Sequence, residues 1–186
     1  MKPLPSRILS FMAFASVAAG AQANLIVNGD FETGNTNDWF LNSPGNNSAV
    51  WAGFGVGGSN GYVIAEFSGT GGSVLSQDVI TVANQNYLFS FDLSDDGFGA
   101  SGFTASFGDK VVFSEINPDT NGDFKHFSYL VTATSDLSTV KFTGYNNPSI
   151  TILDNVSLTA APVPEPASMA ALGLGVAAFI RRRKRA

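Results

Sequence analysis

Between Asn24 and Thr159 the chain alternates apolar with polar residues in short runs. Clusters of Gly, Asn, Asp and Ser separate the runs. This is the two-residue period of strands buried on one face, and it leaves no room for the 3.6-residue period of a helix. The runs are "NLIVNGDF", "GYVIAEF" (61–67), "SVLSQDVITV" (73–82), "NYLFSFDLS" (86–94), "SGFTASFG", "KVVFSE", "FKHFSYLVTA" (124–133), "TVKFTGY" (139–145) and "SITILDNVSLTA" (149–160). In the fourth run, Tyr87, Phe89, Phe91 and Leu93 fall on one face. Gly108-Asp109 between the fifth and sixth is a hairpin signal. About nine short strands with polar turns predict an all-β fold, an antiparallel jelly-roll-like β-sandwich.

The ends read differently. "MKPLPSRILSFMAFASVAAGAQAN" has a basic start at Lys2 and Arg7, an apolar run from Ile8 to Gly20 and a small-x-small site ending at Ala23. That is the layout of a cleavable signal peptide over 1–23, with the mature chain starting at Asn24. The other end, "VPEPASMAALGLGVAAFIRRRKRA", joins Pro164-Glu165-Pro166, an apolar run from Ala167 to Ile180 and the cluster Arg181 to Arg185. The apolar run is shorter than the roughly 20 residues of a stable span, and the basic cluster would stay cytoplasmic. An ordinary single-span anchor is the alternative. The three parts in this order resemble the PEP-CTERM sorting domain. The resemblance implies transient inner-membrane anchoring in a Gram-negative bacterium and cleavage near Pro164–Pro166 by an exosortase, often in strains that make exopolysaccharide. The expected layout is thus 1–23 signal peptide, 24–160 β-sandwich and 161–186 sorting signal with its Pro/Ala linker.

Charge narrows the function. Only three of the ten basic residues, Lys110, Lys125 and Lys141, lie between the ends, against fourteen of the fifteen acids. A middle with about eleven net negative charges repels phosphate backbones, which argues against nucleic-acid binding. There is no cysteine, which excludes disulfides, thiolate catalysis and zinc–thiolate sites.

"NLIVNGDFETG", Trp39, "LSQDVITV", "NYLFSFDLS" and "ITILDNVSL" are similar in order and spacing to the galactose-binding-like jelly roll shared by family-4-type carbohydrate-binding modules. The resemblance implies that the first and last strands lie side by side, so that Glu32 and Asp154 converge. It also implies a structural Ca²⁺ there, in keeping with the oxygen ligands that calcium takes. Without calcium, Glu32 would cap a turn and Asp154 would hold nearby backbone amides.

Other constellations carry little chemistry. "DTNGDF" (119–124) starts like a calcium loop but has Phe124 where Gly is required and Leu130 where Glu is required, so it reads as an Asx-rich turn. Asp95 and Asp96 are sequence neighbours on a turn, not carboxyls facing one cleft. His126, the single histidine, belongs to no G-x-S-x-G or HExxH pattern. Aromatics are better candidates, since sugar rings stack on flat π surfaces. Trp51 and Phe54 sit in a Gly-rich loop, and Tyr145 stands beside Asn146 and Asn147, whose amides suit hydroxyls. The expected function is non-catalytic binding of an extracellular polysaccharide. A structural matrix protein without glycan specificity is the alternative, and an enzyme acting on extracellular polymer comes third.

Overall fold

The computed structural model describes residues 22–66 and 71–162. The signal-peptide core and Pro164, Glu165 and Pro166 lie outside the described residues; Ala23 lies inside them and is exposed. Among the described residues the ten strands are β1 (Phe40–Asn42), β2 (Ala49–Trp51), β3 (Gly61–Ile64), β4 (Ser73–Ile80), β5 (Asn86–Asp95), β6 (Gly99–Phe107), β7 (Lys110–Ile116), β8 (Lys125–Thr132), β9 (Leu137–Pro148) and β10 (Thr151–Ala160). They form two five-stranded antiparallel sheets, ordered β1-β4-β9-β6-β7 and β2-β3-β10-β5-β8. Among the described residues the only helical element is a single 3₁₀ turn, Val56–Gly58. The all-β sandwich expected from the alternation is the fold observed.

Alternation builds the core directly. Tyr87, Phe89, Phe91 and Leu93 point inward from β5 and are buried. Phe103, Ala105 and Phe107 of β6 and Val140 and Phe142 of β9 face them from the other sheet. Phe91 lies at the centre, with the rings of Phe89, Phe103, Phe113, Phe127, Tyr129 and Phe142 at centroid distances of 5.4 to 6.3 Å. With no disulfide to staple it, the sandwich rests on its buried apolar core, in which this aromatic cluster is the central group of large side chains.

Two features depart from expectation. The opening run "NLIVNGDF" forms no strand. It lies along β10 through Leu25 N–H to Leu158 O (2.8 Å) and Val156 N–H to Gly29 O (2.8 Å), and the Gln77 amide clamps Val27 and Asp38. A ladder cannot form because Asn28 and Phe31 take positive φ, which breaks the pleat. Gly29 is required there, since a Cβ would stand 2.1 Å from Val156 O. The turned segment still buries Phe31 against Trp39 and Tyr62. Second, β1 and β2, three residues each, are strands that the alternation was too short to reveal.

Both outer ends of the domain meet at one pole. Asn24 accepts the Leu158 N–H through Oδ1 (2.9 Å), and Ala161 N–H bonds Asn86 O (2.8 Å). The β9–β10 turn lies at the opposite pole, a strand of ten residues away, about 30 Å.

Candidate functional site

At that opposite pole, carboxylates hold the surface loops by accepting backbone N–H groups. Glu66 is fully buried and binds Ser43 Oγ–H, Gly45 N–H (2.9 Å) and Asn47 N–H (3.2 Å). Burial pushes its carboxyl up, but the bonds from Ser43, Gly45, Asn47 and Ser48 together outweigh burial, so it titrates below the usual glutamate range. Asp95 accepts Gly97 N–H (2.8 Å), Asn146 Nδ2–H (3.2 Å) and the Thr151 hydroxyl. Asp154 accepts Val56 N–H (2.8 Å), Ser59 Oγ–H (3.3 Å) and Asn155 N–H (2.7 Å). Burial raises the carboxyls of Asp95 and Asp154 above the usual aspartate range, against the pull of these bonds. The β-bulge between Asp154 and Ser157, with Asn155 at positive φ, aims Asp154 at the loop.

Glu32 reaches the same loop from the other side, accepting Asn60 N–H at 2.7 Å. Glu32 and Asp154 thus both hold the stretch Val56–Asn60, each through its own donors. Their oxygens are the donor type that Ca²⁺ takes, but two carboxylates fall short of the six to eight oxygens it requires. Among the described residues no group of three or more His, Asp or Glu side chains is placed to hold a metal. An ion here would need loop carbonyls and water to complete its shell.

The pinned loops frame a groove of about 340 Å³ lined by Asn47, Trp51, Ala65, Asn146, Asn147, Pro148, Ser149 and Ile150. Trp51 is 37% exposed and meets Phe54 edge to face at 5.2 Å. Asn146 lines the groove while its amide turns inward to Asp95 and Thr151, and its Oδ1 is buried without a partner. Tyr145 goes elsewhere. Successive strand residues face opposite ways, so Tyr145 lies on the outer face of its sheet. There its ring passes so close to Gly102 that a Cβ would stand 2.6 Å from it. It lines a second groove, about 230 Å³, with Thr104, Ser114 and Thr143. Tyr145 and Asn146, adjacent in sequence, therefore cannot grip one ligand together. Asn147, the second amide singled out beside Tyr145, does line the first groove; the sequence reading missed Asn47 and Ser149, and for Ser149 the run "YNNPS" was the available signal.

The remaining candidates are structural in place. Asp96 accepts Phe98 N–H and Ser149 Oγ–H, while Asp95 points into the interior. Asp119 closes an Asx turn on Asn121 N–H (2.8 Å). His126 is exposed with Nδ1 2.7 Å from Asp92 Oδ1, and Asn155 holds the other Asp92 oxygen (2.8 Å).

Residues 162–185 match the PEP-CTERM protein-sorting motif, a signal for export and membrane-associated sorting. No curated protein matches the chain. Among solved structures the fold is similar to TmCBM61 in complex with beta-1,4-galactotriose, at 12% identity and TM-score 0.59, over 75% of this chain and 99% of that one. It is similar also to the CBM22-1 xylan-binding domain from Paenibacillus barcinonensis, at 15% identity and TM-score 0.58, over 78% and 99%. The Stig cyclase Fisc from Fischerella sp. TAU has 21% identity and TM-score 0.52, over 77% and 100%. At these identities the likeness is one of fold: a jelly roll found mostly in carbohydrate-binding modules but also in an enzyme.

Proposed function

We propose that this is an exported, exosortase-processed surface or matrix protein whose sandwich binds an extracellular polysaccharide without turning it over. The groove toward the pole opposite Asn24 and Ala161 carries the reading. It offers the Trp51 ring, backed by Phe54, beside the polar groups of Asn47, Asn147 and Ser149. A flat apolar surface next to amide and hydroxyl groups matches the two sides of a pyranose, its C–H face and its hydroxyl rim. The jelly-roll neighbours solved with galactotriose or described as xylan-binding support this class of ligand.

Against catalysis stands the placement of the acids. Asp95, Asp154 and Glu66 are consumed in holding backbone amides, and Asp95 and Asp96 point apart. A calcium ion at Glu32 and Asp154 belongs to this reading as a structural ion that would fix the Val56–Asn60 loop beneath the aromatic pair. Chelation by EDTA then lowers the melting midpoint; an unchanged midpoint removes the ion from the account.

A glycan array probed with the processed protein tests the reading. Saturable binding to one glycan class, lost in Trp51→Ala with an unchanged melting midpoint, supports it. Absence of binding to every glycan favours a matrix component held by neighbours and cations instead. Release of reducing ends from any polymer would make the protein an enzyme.

A further inference from the structure

Thirteen large apolar side chains are exposed among the described residues, and six of them gather at one end of the molecule. Ile80 and Leu137 are cross-strand partners on the outer face of one sheet, and Ile80 is 81% exposed. Leu88 and Leu130 are partners on the outer face of the other. Val82 stands on the turn between β4 and β5, and Val27 beside Gln77 on the opening segment. The end they surround is the one where Asn24 and Ala161 emerge, fixed by Asn24 Oδ1 to Leu158 N–H and Ala161 N–H to Asn86 O.

We propose that this apolar end is a membrane-facing surface: while the chain is still anchored through its C-terminal sorting segment, Val27, Ile80, Val82, Leu88, Leu130 and Leu137 rest on the lipid interface and hold the Trp51 groove pointing away from the membrane. The occupant follows from where the chain goes next. From Pro162 to the first residue of the apolar run, Ala167, there are five residues, at most about 18 Å when fully extended. The bilayer surface is therefore within reach of this end and not of the groove, which runs from Trp51, level with Asp154 on β10, to the β9–β10 turn, about 20 to 30 Å further on. A short tether also keeps the local concentration of lipid high, so that six partly exposed side chains suffice where a free protein would not bind. The charges at this end include the acids Asp78 and Asp136 and, on the β6–β7 turn that Gly108 N–H ties to Thr139 O, Asp109 and Lys110, so acids outnumber the base there. The contact is thus apolar, not an attraction to anionic headgroups, and it should survive salt.

The chain has no cysteine, so single introduced cysteines report unambiguously. The full-length, uncleaved protein is reconstituted in nanodiscs of phosphatidylethanolamine and phosphatidylglycerol, carrying an environment-sensitive fluorophore at Val82→Cys, Leu130→Cys or Phe98→Cys. Phe98 is exposed at the groove end. The expected result is blue-shifted emission at positions 82 and 130, quenched by spin-labelled lipid and protected from aqueous iodide in high salt, with position 98 open to iodide. Adding Ile80→Ser and Leu137→Ser should abolish the protection at 82 without changing the melting midpoint. Equal iodide access at all three positions would overturn the proposal. So would protection at 82 that persists in the detached domain and grows with protein concentration, since a second copy would then be the cover. Neither readout involves glycan, so this inference and the proposed function can fail separately.

Discussion

Asp154 is held among three donors at the point where the first and last segments of the domain meet the aromatic loop. Its replacement by Ala leaves Val56 N–H without an acceptor. Losing a buried acceptor of this kind costs about 1–3 kcal/mol, so Asp154→Ala should lower the melting midpoint by several degrees and shift the emission of Trp51 toward that of a freer ring. The buried acids also set a pH dependence with two opposite limbs. Asp95 and Asp154 titrate above their ordinary 3.8 because of burial. Between 3.8 and their raised values, the native state holds protons that the unfolded chain has released. These two residues therefore make stability fall as pH rises through that window. Glu66, held below its ordinary 4.5, contributes stability that is present above 4.5 and lost as pH falls through its lower folded value. Calorimetry from pH 7 downward should show the midpoint rising slightly and then collapsing; Asp95→Asn should flatten the first limb and Glu66→Gln soften the second. A midpoint that only falls from pH 7 would contradict the raised aspartates. Little of this was legible in advance. The family resemblance singled out Glu32 and Asp154, but Glu66 finds its amides about twenty residues away and Asp95 finds Asn146 and Thr151 more than fifty away, and nothing local to either acid marks those partners.

Among the strands, legibility follows length and periodicity. β5 could be read residue by residue, because four alternating aromatic or aliphatic positions fix which face is buried. That face predicts the cost of disrupting it. Phe91→Ala removes the ring that six others touch, and a buried Phe→Ala change costs about 3–5 kcal/mol; urea titration of the variant should show that loss with little change in slope. A loss below about 1 kcal/mol would mean the aromatic cluster is not the main support of the sandwich. β9 shows how the same alternation corrects a reading made by adjacency. Tyr145 and Asn146 looked like one ligand-binding pair, and the pleat sends one outward over Gly102 and the other inward to Asp95. Asn146→Ala should therefore behave as a stability variant and Tyr145→Ala as a surface variant, separable by melting midpoint alone. The opening run, by contrast, has the composition of a strand and the backbone of a series of turns. Its geometry is dictated by the close approach of Gly29 to Val156, a contact across the whole domain that no local pattern encodes.

For the whole molecule, the arrangement is polar. Both ends of the described domain, Asn24 and Ala161, leave from one pole, the residues that match the sorting motif follow from Pro162, and the grooved, carboxylate-pinned loops lie toward the other. In the proposed reading, this arrangement holds a polymer outward from the cell surface. The two tryptophans make the central claim measurable. Trp39 is 6% exposed in the core and Trp51 is 37% exposed at the groove, so a ligand at the groove changes the emission of one and not the other. The most direct test is a fluorescence titration of the processed protein with the glycan that the array selects. The account predicts a saturable emission change that disappears in Trp51→Phe while Trp39 continues to report a folded core. Glycan binding with no change in Trp51 emission, or no glycan that binds at all, would contradict it.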